Sequence, residues 1–327
     1  MLQYLIILLD DTSTSYCHYE CLKKEHNLIN LDSLKSGIMF GMKENLMIQF
    51  VYPNYKLPQE YKDVINTIDH TSIVSSLCED IVLKNIADVV VFDDWAGIDA
   101  YDFSEQSVYI IRTSKADFFE HYLSLQHPLA KSARVNVVFT DIETFDENNF
   151  ETYKKVLAAL LEKIEPFYLN RQFPQLNLLT DRMMLEEMNN CNAGWKSITI
   201  APDGKFYICP AFYLAGDDED YGLGKAKFSV GDLKNGLDIK NPQLYKLSHA
   251  PLCRNCDAYH CKRCVWLNRK TTYELNVPSH EQCVVAHLER NASRDLLMDI
   301  RKHGIFLPEI NIEEITYLDP FDVKKEW

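Results

Sequence analysis

The chain has no long hydrophobic run. Among its 327 residues, the N-terminal apolar stretch from Tyr4 to Leu9 is too short for a membrane span or a signal-peptide core, and Asp10-Asp11 ends it. No membrane partner is expected, and the expected location is cytoplasmic. Glycine is scarce, at 11 residues. Neither a Walker loop nor G-x-G-x-x-G occurs, and "GLGK" at Gly222 to Lys225 has neither spacing. Basic charge is also in deficit, with 34 Lys+Arg against 48 Asp+Glu and a net charge of −14. Nucleic acid is therefore not the expected partner, because phosphate backbones demand a concentrated basic surface. No export signal accompanies the cysteines, so disulfides are not expected.

What is present in quantity is cysteine, ten residues in all. Cys17, Cys21 and Cys78 are scattered, whereas the other seven lie between Cys191 and Cys283. In a reducing compartment such a cluster points to thiolate metal binding.

The first part of the chain alternates short β-branched runs with helical patterns. Strands are expected at Leu2 to Leu9, Leu46 to Tyr52, Asp88 to Phe92, Ser107 to Arg112, Arg134 to Thr140 and Gln175 to Leu179. Helices are expected at Leu31 to Glu44, Gln59 to Ile68, Ile73 to Lys84, Lys115 to Gln126 and Phe150 to Ile164. Such alternation predicts an α/β fold, a parallel sheet covered by helices, as an open sheet or a six-unit (β/α) partial barrel. After about residue 185 the pattern turns to cysteines and hairpins, giving expected domains at 1–185 and 186–327. There, Ser197 to Ile200 and Phe206 to Cys209 read as strands around a Pro202-Asp203-Gly204 turn. Ser279-His280-Glu281-Gln282 fits a capping box for a helix running to about Lys302 and stopping at Gly304, with Cys283 near its first turn. The tail from Phe306 has apolar residues expected to dock on the body.

The seven clustered cysteines read Cys191-x12-Gly204-x4-Cys209, then Cys253-x2-Cys256-x4-Cys261-x2-Cys264, then x18 and Cys283. A C-x-x-C pair grips one metal across a tight turn. Pairs this close are too crowded for a zinc ribbon, whose pairs lie roughly 15 to 20 residues apart. Ferredoxin-like runs have this crowding. If Cys253, Cys256, Cys261 and Cys283 hold one iron-sulfur cluster, then Cys191, Cys209 and Cys264 remain for a second that lacks one protein thiolate. Its open iron could take a substrate group, a water, His260 or Asp257. The competing reading is zinc, in one four-cysteine site plus leftover thiols, or in two sites completed by His249, His260 or His280.

The arrangement, with "APDGKFYICP" at its hairpin, resembles the SPASM domain, the auxiliary-cluster module of radical S-adenosylmethionine (SAM) peptide-modifying enzymes. It departs at two spacings, with x4 where the family has x5 and x2 where it has x3. The resemblance implies two auxiliary 4Fe-4S clusters and a preceding six-unit partial barrel. In that family the first strand ends in C-x3-C-x2-C, whose cluster cleaves SAM. In this chain Thr14, Cys17 and Cys21 match T-x-x-C-x3-C, but Lys24 stands at the third cysteine, and an ammonium cannot ligate iron as a thiolate does. The "GGE" type segment after strand two is replaced by "VYPNYKLPQE" at Val51 to Glu60.

Over most of its length the chain is similar to the CXXX-repeat peptide maturases, on "YLIILLDDTSTSYCHY", "MKENLMIQFVYPNYKLPQEYKDVI" and "IDHTSIV". That likeness implies a degenerate radical SAM barrel with a SPASM-type domain. It implies as partners a cysteine-repeat precursor peptide and a separate radical SAM maturase, with no autonomous SAM cleavage. Two rival readings are a peptide-binding adaptor with structural metal sites, and an independent radical SAM enzyme using Cys17, Cys21 and His18 or His26. Asp93-Asp94 and Asp141 with Glu143, at strand ends, read as loop or cap residues before catalytic ones. Cys78 reads as a core residue.

Overall fold

The structure is a computed structural model and describes residues 2–215 and 228–313. The Gly222 to Lys225 segment and the tail beyond residue 313 lie outside the described residues. In chain order the strands are β1 (Tyr4–Leu8), β2 (Met47–Val51), β3 (Thr71–Ser75), β4 (Val89–Phe92), β5 (Val108–Thr113), β6 (Arg134–Phe139), β7 (Gln175–Leu176), β8 (Ser197–Ile200), β9 (Lys205–Tyr207), β10 (Ser229–Asp232) and β11 (Gly236–Leu237). The helices are α1 (Leu31–Lys43), α2 (Gln59–Ile65), α3 (Ile81–Ile86), α4 (Lys115–His121), α5 (Gln126–Lys131), α6 (Glu147–Leu169), α7 (Asp181–Met184), α8 (Ala211–Leu214), α9 (Val265–Thr272) and α10 (His280–Arg301).

Two compact units result, each built from two stretches of chain: Met1–Phe92 with Asn192–His249, and Asp93–Cys191 with Ala250–Trp327. In the first unit the strand order is β11-β10-β9-β8-β1-β2-β3-β4. Pairs β1·β2, β2·β3 and β3·β4 are parallel, as the strand-helix alternation requires. Strand β8 adds in parallel to β1, setting Tyr4 beside Ser197, and then turns back antiparallel into β9. Gly204, at φ +76°, closes that turn, and its N–H donates to Ala201 O at 2.9 Å. Leu5, Ile7, Leu8, Phe50, Val51, Val74, Ile198 and Ile200 are fully buried, which is why these strands are near-continuous apolar runs.

The second unit has the parallel strands β5-β6-β7 and a core of Phe118, Phe139, Phe145 and Tyr153 rings in edge-to-face contact. Helix α6 starts on a complete capping box, Asp146 with Asn149, and packs against α10. The described part of the tail docks here: Phe306 stacks on Phe173 and Ile312 is buried.

One expected helix is corrected. The stretch Ile73 to Lys84 begins inside β3, and only Ile81–Ile86 is helical. Thr71-Ser72-Ile73-Val74-Ser75 is rich in β-branched residues and buried on both faces, so strand pairing on either side prevails over an apolar spacing that mimics a helix. Lys115 to Gln126 also divides, into α4, a short 3-10 turn and the start of α5. The capping box at Ser279 forms by half: Ser279 Oγ accepts from Gln282 N at 3.3 Å.

Candidate metal centre

The second unit contains a cavity of about 560 Å³ between the Pro251 to Arg263 loop and the start of α10. The loop is wound tightly, with Cys256 N donating to Cys253 O at 3.1 Å and Cys261 N to Ala258 O at 3.0 Å. The Ser279 cap begins α10 so that Cys283 falls in its first turn, where exposed N–H groups favour negative charge. Cys253, Cys256, Cys261 and Cys283 all line the cavity, and they are the four that the spacing arithmetic groups together. Cys264 is buried at the N-cap of α9 and is not part of the wall. Cys191 is drawn to the same loop by its N–H, which donates to Lys262 O at 2.7 Å, while Asn189 N donates to Tyr259 O at 2.7 Å. Cys209 belongs to the first unit, between β9 and α8.

Burial governs these thiols. It pushes Cys253 up to about 11 and Cys261 up to about 12, and it raises Cys256 as well. Without a cation they stay protonated and are poor nucleophiles, so the cluster does not suit thiol catalysis. Cys256 Sγ lies 3.4 Å from His287 Nε2 and accepts from Ala258 N at 3.4 Å. Gln282, also in the wall, has a buried Oε1 with no hydrogen-bond partner. Asp257, one candidate for the open iron, is committed elsewhere. Arg290 donates to it through Nε and Nη2, both at 2.7 Å, and Arg182 through Nη2 at 3.1 Å. Burial alone would raise this carboxyl, but the two guanidiniums outweigh it and hold it below the usual range. His260, the other candidate, is buried with Nε2 3.1 Å from Glu289 Oε2, and Tyr153 OH donates to Glu289 Oε1 at 2.6 Å.

No three His, Cys, Asp or Glu side chains among the described residues are gathered so as to hold a single metal ion. The thiols are instead spread around a cavity wall. A zinc ion with bonds of about 2.3 Å would pull four sulfurs onto one point, whereas an iron-sulfur cluster bonds each thiolate to a separate iron. The donor set and the void fit a cluster-sized group.

The loop after β1 is arranged differently. Cys21 Sγ donates to Asp11 O at 3.2 Å, and burial raises its pKa. Lys23 pairs with Asp11 Oδ2 at 3.2 Å and sits 3.0 Å over the Tyr213 ring, whose hydroxyl donates to Asp11 Oδ1 at 2.6 Å. Lys24, at the third cysteine position, is exposed, while Thr14 and Ser15 are buried with hydroxyl oxygens that lack partners. The strand-end carboxylates serve structure. Asp93 pairs with Arg112, Asp94 accepts from Ala96 N at 2.8 Å, Asp141 accepts from Lys115 N at 2.9 Å, and Glu143 pairs with Lys270. Cys78 is buried, as expected of a core residue, in the turn after β3.

Sequence reasoning passed over Arg182, Arg263, His287, Arg290 and Gln282. Cys283, His287 and Arg290 are spaced i, i+4, i+7, one face of a helix, and that periodicity was the available signal. Arg182 approaches from α7, and nothing local announces it.

No protein-family model matches the chain, and no curated protein matches its sequence. Among solved structures it is similar to anSMEcpe with bound AdoMet, at a TM-score of 0.62 and 11% identity over 94% of this chain and 97% of that one. It is likewise similar to anSMEcpe with AdoMet and the Cp18Cys peptide (TM-score 0.58, 11% identity, 92% and 100% covered). The complex with the Kp18Cys peptide gives 0.59, 12% identity and 91% and 99% coverage. The likeness is one of fold, a mixed α/β architecture with a large parallel sheet and helices.

Proposed function

We propose that the chain is a maturation protein for a ribosomally made peptide of the CXXX-repeat type, built as a degenerate six-unit radical SAM-like barrel over residues 1–185 and a SPASM-type module over 186–327. It works in the cytoplasm on a cysteine-rich precursor, beside a separate radical SAM maturase. The observation that carries this reading is the contrast between two cysteine sites. Four thiols surround a cavity in the second unit, while the loop after β1 turns Cys21 onto backbone carbonyls and exposes Lys24 where a third ligand is needed. Two of the similar solved structures hold peptides, Cp18Cys and Kp18Cys, which supports a peptide as the substrate class.

On this reading Cys253, Cys256, Cys261 and Cys283 hold one 4Fe-4S cluster, and Cys191, Cys209 and Cys264 serve a second. Such clusters supply one-electron transfer when bound. The chain's own residues do the rest. The α10 N-terminus favours a thiolate at Cys283, His287 lies within reach of Cys256, and the Arg182-Asp257-Arg290 bridge holds the loop to the helix. No membrane helix enters the account, since none of the described helices is long and apolar enough to cross a bilayer.

The test is iron, acid-labile sulfide and zinc content of protein purified without oxygen, with its paramagnetic resonance spectrum after reduction. Roughly eight irons with matching sulfide are expected for two four-iron clusters. Roughly twelve, together with release of 5′-deoxyadenosine from SAM, would make the Cys17 loop a working site and overturn the degenerate-barrel reading. Zinc without iron would leave a structural adaptor.

A further inference from the structure

His287 is buried, at 5% exposure, on α10. It follows Cys283 by four residues, one turn along the same helix face, and both side chains line the cavity of the second unit. Its Nε2 lies 3.4 Å from Cys256 Sγ. The same sulfur accepts from Ala258 N at 3.4 Å. Two nitrogens, one from the loop and one from the helix, are thus set against a single cavity thiol. The sense of the histidine contact depends on what the sulfur carries. A free thiol can give its proton to the ring or accept one from it. A thiolate bound to iron has lost that proton and can only accept. Nε2 then bears the hydrogen, and the contact becomes N–H···S.

Resting on the iron-sulfur reading above, we propose that His287 is a positioning residue for the cluster held by Cys253, Cys256, Cys261 and Cys283: its Nε2–H bonds to the Cys256 sulfur and raises the reduction potential of that cluster. Uptake of one electron from an external low-potential donor makes or breaks no bond, and the proton stays on Nε2. The added electron places more negative charge on the sulfur, so a donor aimed at it bonds more tightly in the reduced state than in the oxidised one. Hydrogen bonds to the sulfurs are among the levers that set the potential of such clusters.

The experiment is a dithionite titration of the full-length protein, purified without oxygen and followed by paramagnetic resonance, comparing wild type with His287→Leu and His287→Gln. Each is grown with isotopically labelled histidine and assayed for iron and sulfide. Leucine fills the space without a donor, and should lower the reduced-to-oxidised ratio at fixed potential at least threefold, about 28 mV for a one-electron couple. Glutamine, whose amide can offer an N–H in the same place, should restore most of the shift. The second readout is one that a merely structural side chain would not give: the pulsed-resonance coupling between the reduced cluster and histidine nitrogen. It should be weak in wild type, as befits a hydrogen bond, and lost from both variants. This coupling decides the matter if His287→Leu fails to fold, since its absence from wild type, or its survival in His287→Gln, would overturn the proposal. A coupling strong enough for direct ligation would make His287 an iron ligand and overturn it as well. So would iron-loaded variants with unmoved potentials. Each of these leaves the iron-sulfur reading standing, whereas a wild type without iron would overturn both.

Discussion

Two guanidiniums converge on one carboxylate at Asp257, and both Arg182 and Arg290 are buried, at 4% and 1% exposure. Removing the carboxylate leaves two buried positive charges without their partner, a larger penalty than the worth of the pair itself. Asp257→Ala is expected to cost about 3 kcal/mol, the low end for a buried pair, because Asp257 itself is 36% exposed and screened by water. Urea unfolding followed by circular dichroism measures it, and a midpoint equal to wild type would show that the bridge contributes nothing. At Asp80 the pairing sets a pH dependence. Its carboxyl receives Lys62 and caps α3 through Leu83 N at 3.4 Å, and the Lys62 contact, as the largest cause, holds it below the ordinary aspartate value. A lowered pKa stabilises above the unfolded value, and that contribution is lost as pH falls through the folded one. Asp80→Asn keeps the cap and removes the charge. It should therefore be less stable than wild type at neutral pH, with the gap closing below about pH 4. A gap independent of pH would exclude the ion pair as its source.

Helix α1 lies on the sheet through its glycine face. A Cβ on Gly41 would stand 2.7 Å from Ile48 Cδ1 and 3.1 Å from Leu5 Cδ2, closer than packed side chains tolerate. Alanine would add about 0.5–1 kcal/mol of helix preference, but the clash is worth more, so Gly41→Ala should destabilise by about 1 kcal/mol net. Gly304→Ala, where a Cβ meets nothing within 4 Å, is the control and should be neutral in the same thermal melts. At this scale much of the fold was legible. The α10 start at Ser279, the α6 pattern and the β8-β9 hairpin around Gly204 all follow from local capping and turn chemistry. Strand β3 was not, because its apolar residues run on into Cys78 and Ile81 at helical spacing, and only its neighbours β2 and β4 decide the matter. Nor does anything in "SITI" announce that Ser197–Ile200 pairs in parallel with β1, a contact set by tertiary packing. That Cys253, Cys256, Cys261 and Cys283 belong together was legible in their spacing, and all four line one cavity. Arg182, Arg263 and Arg290 were not, because a buried arginine looks like any surface arginine until its partner is known.

For the whole molecule, the cavity belongs to the second unit alone, and on the proposed reading this places the cost of losing a metal group held there. Cys253 and Cys261 carry raised pKa values, so binding a metal group there must release protons, and its binding free energy is also folding free energy for the loop it closes. That loop, Pro251 to Arg263, has few regular backbone bonds of its own, relying on tight turns and on the bridges to Arg182 and Arg290. Stripping metal with a chelator under anaerobic conditions should therefore loosen residues 251–264 and the first turns of α10. Amide exchange there should speed up at least tenfold, about 1.4 kcal/mol of lost protection. Amides of β1, β2 and β3 should keep their protection, since those strands are held by buried Leu5, Ile7, Phe50 and Val74 and by one another. Exchange by mass spectrometry, before and after chelation, reads both regions in one sample. Uniform loosening would mean the metal supports the chain globally, and no change at 251–264 would mean that the cavity does not hold it.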